Sequence, residues 1–489
     1  MTEVVSPARG ARAEADPSRV RFRRALSLMV MTLLVPGSAQ LIAGHRRVGR
    51  IALRIWGGLW IAAGLLALLW WLDRSIVLGI FTSPTVLGVL RIGLVVLALG
   101  WVALFADAWR LGAPLELTRR DRLTMSGISA ALCFVTAGSL FVAAHLMAVQ
   151  RDFITTVFGS TVVREADEGR YNVLLLGGDS GDGRWGLRPD SMTVASVEAN
   201  TGDVVLVGLP RNLANVPFPE DSPMHEHFPD GFDCDGCYLN SINTWVADNA
   251  EEFDGIKQPG LEATRETIEE ITGLPVTYYA MVNMRGLSKL VDAVGGVKVK
   301  VREPVAIGGI GSPITGYIPK GKQRLDGREA LWYARSRVEN SDYSRMARQK
   351  CLMNAMLQQL DPQTVLLKAT AIADSSKRML RTDIPAADLD RFVDLALRAR
   401  DANVSVVSLV PPAVNTSDPD FDEIRSMVET AIERSENGAA EADAATAEAE
   451  KKAKKGGAGA SDAGTSEETS EETTREDRVN AADDLGASC

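Results

Sequence analysis

YNVLLLGGDSGDGRWGLRPDSMTVASVEANTGDVVLVGLPRN, residues 171–212, contains three apolar runs separated by turns rich in glycine and charge. YNVLLLGG reads as a buried strand ending in glycines, which is where α/β proteins place ligand-binding loops. SMTVASV and DVVLVGLP read as two further strands. Asp179 follows the first strand, Arg188 and Asp190 flank Pro189 before the second, and Arg211 ends the third. Two carboxylates and two arginines therefore fall at strand ends. Hard oxygen ligands beside arginines suit Mg²⁺ bound to a pyrophosphate. The glycine loop carries no Gly-Lys-Ser/Thr, so it is not a Walker motif, and it is not a dinucleotide fingerprint.

A second charged block, RSRVENSDYSRMARQ at 335–349, complements the first. Arg335 and Arg337 are two apart, so in an extended segment both guanidinium groups leave one face. Asp342, Arg345 and Gln349 stand at i, i+3 and i+7, one stripe of the helix that RMARQKCLMNAMLQQL predicts. Arginine forks match phosphate oxygens bidentately, so this cluster suits a pyrophosphate better than a single phosphate. Alone, it would read as a solvated helix face laced with surface ion pairs. The matching upstream block is what favours an anion site.

Between and after these blocks, helices and strands alternate. GLEATRETIEEITG predicts a helix stopped by glycine, VTYYAMV a strand, MRGLSKLVDAVG a helix and VKVKV a strand. LDGREALWYA and DLDRFVDLALRAR predict helices, and VSVVSLVPP a closing strand. Such alternation argues for a sheet covered by helices.

In their order, LLLGGD, RPDSM, GLPRN, LNSINTW, VNMRGLSKLVDAVGGVKVKV, LDGREALWYARSR and DYSRMARQ resemble the LytR-CpsA-Psr family over roughly residues 168–411. The resemblance implies an α/β/α sandwich with an apolar groove for a polyprenyl chain. It also implies a membrane-anchored, Mg²⁺-dependent phosphotransferase. Such an enzyme would move a glycopolymer from a polyprenyl-pyrophosphate carrier to peptidoglycan, leaving a phosphodiester. By motif, Asp179 and Asp190 correspond to the family's metal-side acids. Arg188, Arg211, Arg335, Arg337 and Arg345 correspond to its pyrophosphate arginines, with Asp342 and Gln349 beside them. Asp179, Asp190, Arg211, Arg337 and Arg345 are the expected catalytic set. One departure stands out: where the family reads Pro-Arg-Asp, this chain has Pro210-Arg211-Asn212, so no role is carried over to Asn212. The alternatives are a polyprenyl-pyrophosphate hydrolase and a non-catalytic membrane protein that binds lipid-linked precursors. With four histidines in 489 residues and no Ser-His-Asp arrangement, histidine base catalysis is disfavoured.

The chain is long enough for several parts. Its net charge of −10 says little about substrate, because residues 438–489 hold 13 acids and 6 bases. A basic N-terminus at 1–24 is expected to be cytoplasmic, followed by a transmembrane region over 25–150. Within it, 51–72, 86–109 and 123–149 are each long enough to cross about 30 Å of hydrocarbon. Three closely spaced segments argue against a cleaved signal peptide. Residues 25–44 are broken by Pro36 and Gly37 and are expected to form a re-entrant hairpin. Arg19, Arg21, Arg23 and Arg24, the HRRVGR run at 45–50, and the loop with Arg110, Arg119, Arg120 and Arg122 are cytoplasmic by the positive-inside rule. Residues 151–411 are then extracytoplasmic, which disfavours a nucleic-acid partner; no recognition-helix module is evident either. A further helix is expected within 412–436, and 437–489 reads as a disordered, low-complexity acidic tail. Cys234 and Cys237, in FDCDGCY, are expected to form a local disulfide in an oxidising compartment. The nearby His225 and His227 keep a zinc site open as the alternative. Cys133 and Cys351 read as packing residues.

Overall fold

A computed structural model describes residues 17–43, 45–72, 74–159, 162–178, 188–309, 311–338, 342–359, 380–453 and 489. The chain divides into two compact units, Met1–Arg151 and Asp152–Cys489.

The first unit is helical. Helices α1 (Pro17–Leu34) and α2 (Ser38–Ala43) are separated at Pro36 and Gly37, where Gly37 takes φ +93°, a region L side chains avoid. Gly37 also sits against α3 (Arg46–Leu72): a Cβ at Gly37 would lie 2.5 Å from the Gly49 carbonyl oxygen. Short α4 (Arg74–Thr82) precedes α5 (Pro84–Leu111) and α6 (Arg119–Val157). Helices α3, α5 and α6 are long and apolar enough to cross a membrane, and the three expected spans fall within them.

The second unit is built on a six-stranded mixed sheet. Its strands are β1 (Arg170–Gly178), β2 (Pro189–Glu198), β3 (Val204–Leu209), β4 (Tyr278–Asn283), β9 (Leu380–Thr382) and β10 (Val404–Ser408), in the order β10-β3-β2-β1-β4-β9. β1, β2 and β3 form an antiparallel meander, β4 runs parallel to β1, and β10 runs parallel to β3. Every residue of β3 is buried, as its unbroken apolar run requires of an inner strand covered on both faces.

Alternate side chains feed two cores. Leu174, Leu176, Met192, Val194, Val205, Val207 and Val407 point to one face. There they pack under α8 (Ile242–Asp248), α9 (Pro259–Thr272) and α14 (Phe421–Ala453). Ala195, Val204, Leu206 and Val406 point to the other, where α12 (Asp342–Gln359) contributes Leu357 and α13 (Leu389–Asp401) contributes Ala399. The result is an α/β/α sandwich. A third core joins α10 (Met284–Ala293), α11 (Gly327–Arg335) and α12 to two ribbons. These are β5 (Val297–Val301) with β8 (Gly321–Leu325), and β6 (Val305–Gly309) with β7 (Ser312–Ile318). α7 (Pro223–His227) is a single turn capped by the Ser222 hydroxyl.

The structure departs from the sequence reading at three places. Ser336 follows the last residue of α11, so Arg335 is helical and does not share an extended segment with Arg337. The tail expected to be disordered from 437 is helical as far as Ala453, since its alanine- and glutamate-rich sequence favours helix; 454–488 lie outside the described residues. Cys351, read as a packing residue, is disulfide-bonded to Cys489, which packs against Ala195, Leu206 and Val406.

Candidate functional site

The sheet topology brings the upstream motifs to one edge. The carboxyl ends of β1, β3, β4 and β10 and the amino end of β2 all lie there. Gly177 pairs with Ser191 and Gly178 with Pro189, leaving Asp190 as the extra residue of a β-bulge. Bulges of this kind re-aim a side chain beside a site. Gly177 makes the close pairing feasible, since a Cβ there would lie 3.2 Å from the Ser191 Cβ.

Asp190 is the hub. Its Oδ1 accepts a hydrogen bond from Arg211 Nη1 at 2.8 Å, and its backbone carbonyl accepts one from Arg345 Nη2 at 3.3 Å. Thus the strand-end loop after β3, the bulge on β2 and helix α12 converge on one residue. Arg211 is three-quarters buried, Asp190 about half exposed, and Arg345 is 3% exposed. The bulge turns Asp190 toward Arg211, 21 residues further along the chain. Arg188 is exposed at the start of β2. The backbone carbonyl of Arg211 accepts from Asn240 N, tying its loop to the segment that follows the Cys234–Cys237 disulfide.

Helix α12 is fastened to α11. Gln349 Nε2 donates to the Ala334 carbonyl at 3.0 Å, and Arg348 Nε donates to that of Tyr333 at 2.8 Å. Arg348 also donates to the Ser336 carbonyl. These donors satisfy carbonyls at the end of α11 that no helical N–H reaches. Arg335 lies over the Trp332 ring, 5.5 Å from its centroid, and Arg337 follows two residues on, half-buried. Asp342 opens α12, and Asp179 lies outside the described residues.

Two residues here carry no functional signal in the sequence. Asn212 Nδ2 reaches Thr416 Oγ1 at 3.5 Å, and Tyr343 Oη lies 3.3 Å from the same atom. Asn212 therefore engages the loop after β10. Lys350 is 5% exposed; its Nζ donates to Ser408 Oγ at the end of β10, and burial pushes its pKa down to about 8.

Metal-ligand options are limited. Among the described residues, no group of three or more His, Cys, Asp or Glu could hold a metal ion. His225 Nδ1 lies 3.3 Å from the Phe218 carbonyl and His227 pairs with Glu252 at 2.7 Å, while the two nearby cysteines are bonded to each other. The zinc alternative therefore lacks a ligand set there. Asp190, half exposed with one oxygen on Arg211, is a hard oxygen donor of the kind Mg²⁺ takes. A cavity of about 760 Å³ runs between β10 and α14, lined by Val406, Val407, Met427 and Ala431, with Ser408 at its wall.

Residues 143–434 match the LytR-CpsA-Psr (LytR_cpsA_psr) family model, three-fifths of the chain. A polyisoprenyl-teichoic acid–peptidoglycan teichoic acid transferase, TagU of Oceanobacillus iheyensis, is 26% identical over 301 residues, 58% of this chain and 83% of that protein. The cell wall biosynthesis protein LcpA of Corynebacterium glutamicum is 27% identical over 241 residues, 45% of this chain and 46% of that protein. This chain thus spans about half the length of the corynebacterial relative. The crystal structure of Bacillus subtilis TagV aligns over 54% of this chain and 96% of its own, with a TM-score of 0.39 and 21% identity.

Proposed function

The chain belongs to the LytR-CpsA-Psr family, and on that premise we propose that it transfers a glycopolymer phosphate from a polyprenyl-pyrophosphate carrier to peptidoglycan. The observation that carries the reading is the convergence of Arg211 and Arg345 on the bulged Asp190, at the sheet edge where Arg188 also lies. Arg335, Arg337 and Gln349 belong to the same pair of helices and the turn between them. The naming of relatives as teichoic acid–peptidoglycan transferases supports the same reaction class.

In this reading the arginines hold the pyrophosphate and take up charge developing on the bridging oxygen. A sugar hydroxyl of peptidoglycan attacks the phosphorus that bears the glycopolymer. The bond from that phosphorus to the bridging oxygen breaks, and polyprenyl phosphate leaves with the electron pair. Asp190 and Asp179 would hold Mg²⁺, which when bound supplies further charge neutralisation at the phosphates. A carboxylate of this pair accepts the proton of the attacking hydroxyl. Arg211, hydrogen-bonded to one oxygen of Asp190, holds that carboxylate in place. Apolar helices α3, α5 and α6 anchor the chain in the bilayer that carries the lipid donor, with residue 151 onward extracytoplasmic.

Incubating the purified full chain with labelled lipid-linked glycopolymer and peptidoglycan tests the proposal. Label should appear covalently on the glycan strand. Release of label to water would make the chain a hydrolase, and binding without turnover would make it a carrier-binding protein.

A further inference from the structure

The ribbon of β5 and β8 carries a ladder of cations outside the arginine cluster. Residues 297–325 hold six lysines and arginines against one acid, Glu303, in a chain whose net charge is −10. Strand alternation sorts them. Val297, Val299, Val301 and Leu325 turn into the core shared with α10, α11 and α12. Lys298, Lys300, Lys322 and Arg324 are exposed on the opposite face, and Lys320 is exposed just before Gly321. The register sets like charge against like: Lys298 stands opposite Arg324, and Lys300 opposite Lys322.

Like charges directly opposite each other destabilise a ribbon. Lysines do guard edge strands against pairing with another chain, but a ladder of alternating Lys and Glu would guard as well and attract across the strands. Among the described residues, Lys298, Lys300, Lys320, Lys322 and Arg324 form no ion pair that would relieve the repulsion. The acids that flank the ribbon are engaged elsewhere: Asp292 Oδ1 accepts from Gly327 N, and Asp326 and Glu329 close the capping box of α11. Arg324 Nη1 donates to the Gly295 and Gly296 carbonyls, which fixes its guanidinium at the end of the ribbon that leads into α11. Gln359 of α12 accepts from Lys298 N and donates to its carbonyl, tying β5 to the helix that carries Arg345. Helix α11, with 9 residues and so about 13 Å long, runs from the ribbon to Arg335.

Successive cations on one strand are about 7 Å apart and the two strands about 5 Å apart, so the ladder follows a linear polyanion and exceeds the span of one phosphate. Its face presents no apolar or aromatic side chain, which a surface entering a lipid interface requires. We propose that this ribbon is a polyanion-binding site, separate from the pyrophosphate site, and that its occupant is the glycopolymer, held by anionic groups recurring along its repeating units. The site stands on the ribbon; its occupant rests on the transferase reading and narrows the donor to an anionic polymer. Two linked contacts on one molecule raise the effective concentration of pyrophosphate at the arginines.

Labelled inorganic polyphosphate, titrated by fluorescence anisotropy into the full chain in phosphatidylcholine nanodiscs, is the probe, and pyrophosphate with Mg²⁺ reads the arginine cluster in parallel. The triple variant Lys298→Gln, Lys300→Gln, Lys322→Gln should weaken polyphosphate binding by on the order of tenfold and lower the slope of log affinity against log salt by about two. The same three positions changed to arginine should bind polyphosphate like wild type. Both variants should bind pyrophosphate within about twofold of wild type, because solvent screens exposed charges a helix length away. In the transfer assay the glutamine variant should raise KM for an anionic lipid-linked polymer and leave a neutral one unchanged. Wild-type polyphosphate affinity in the glutamine variant overturns the site. If phosphatidylglycerol in the nanodiscs abolishes polyphosphate binding, the ribbon is a lipid contact and the proposal fails. An equal rise in KM for neutral and anionic polymers overturns the occupant. If the wild-type chain binds no pyrophosphate while polyphosphate binding still depends on the three lysines, the transferase reading fails and the polyanion site stands.

Discussion

Asp190 and Arg211 are 21 residues apart in sequence and 2.8 Å apart in space, and the bulge that joins them leaves no sequence signal beyond a glycine pair. That is why the residue types of the site were legible while their pairing was not. If Asp190 holds Mg²⁺ as proposed, Asp190→Asn should raise the Mg²⁺ concentration needed for half-maximal transfer by on the order of tenfold, or abolish transfer. An unchanged metal titration, with only the loss of about 1 kcal/mol expected for a half-exposed ion pair, would leave Asp190 as no more than an anchor for Arg211. Lys350 was illegible for a different reason: within RMARQKCLMNAMLQQL a lysine reads as solvated face, and only the fold places it against Gly208. Its folded pKa of about 8 lies below its ordinary value of 10.5. Below pH 8 both folded and unfolded chains hold the proton and the folded state bears the full cost of burial. Between pH 8 and 10.5 the unfolded chain binds more protons, so stability should rise with pH across that window. Relative to Lys350→Met, wild type should gain up to about 3 kcal/mol over that range. Parallel stability–pH curves from denaturant titration would remove the assigned shift.

Among the elements, those with strong period and clear stop signals were readable, and the short ones were not. Helix α11 is the clearest case. LDGRE carries both halves of a capping box: the Asp326 carboxylate accepts from Glu329 N, and the Glu329 carboxylate accepts from Asp326 N. Helix α9 likewise stops at Gly273, which takes φ +70°. By contrast β9 is only LRT, too short for any period, and β7 contains Pro313 and Gly316, which mask its strand character. The arginine pair at 335 and 337 reads as extended because the sequence shows no break between YAR and SRV, whereas the helix runs through Arg335. The consequence can be tested at the cap. Asp326→Ala should cost about 1 kcal/mol of stability. Since α11 is clamped to α12 by Arg348 and Gln349, the same change should also weaken pyrophosphate binding several-fold by loosening the arginines at its far end. A loss of stability with unaltered binding would show that the two ends of α11 are uncoupled.

For the whole molecule, the decisive division is between the helical unit ending at Arg151 and the α/β unit that follows. A sheet covered by helices was evident because alternation of strand and helix is a long-range pattern that survives errors at individual boundaries; the α/β/α arrangement itself was what the family resemblance implied. The apolar helices were evident for the same reason: a run of about twenty apolar residues matches the thickness of a bilayer and exceeds what a core helix buries. Orientation, however, rests on charge alone. Arg46, Arg47 and Arg50 precede the first apolar stretch, and Arg110, Arg119, Arg120 and Arg122 lie between the second and third. Only Arg74 falls between the first and second, in the loop predicted to face outward. Holding those two clusters on one side of the bilayer requires the first two helices to cross as a hairpin and the third to cross once more, which carries residue 151 to the opposite side. The proposed reaction needs its peptidoglycan acceptor on that side, so the transferase reading requires this topology. A reporter active only outside the cytoplasm should give signal when fused after Arg151 and none when fused at Gly112. The reverse pattern would place the arginine cluster on the side without peptidoglycan, and no reassignment of individual site residues could then rescue the proposed reaction.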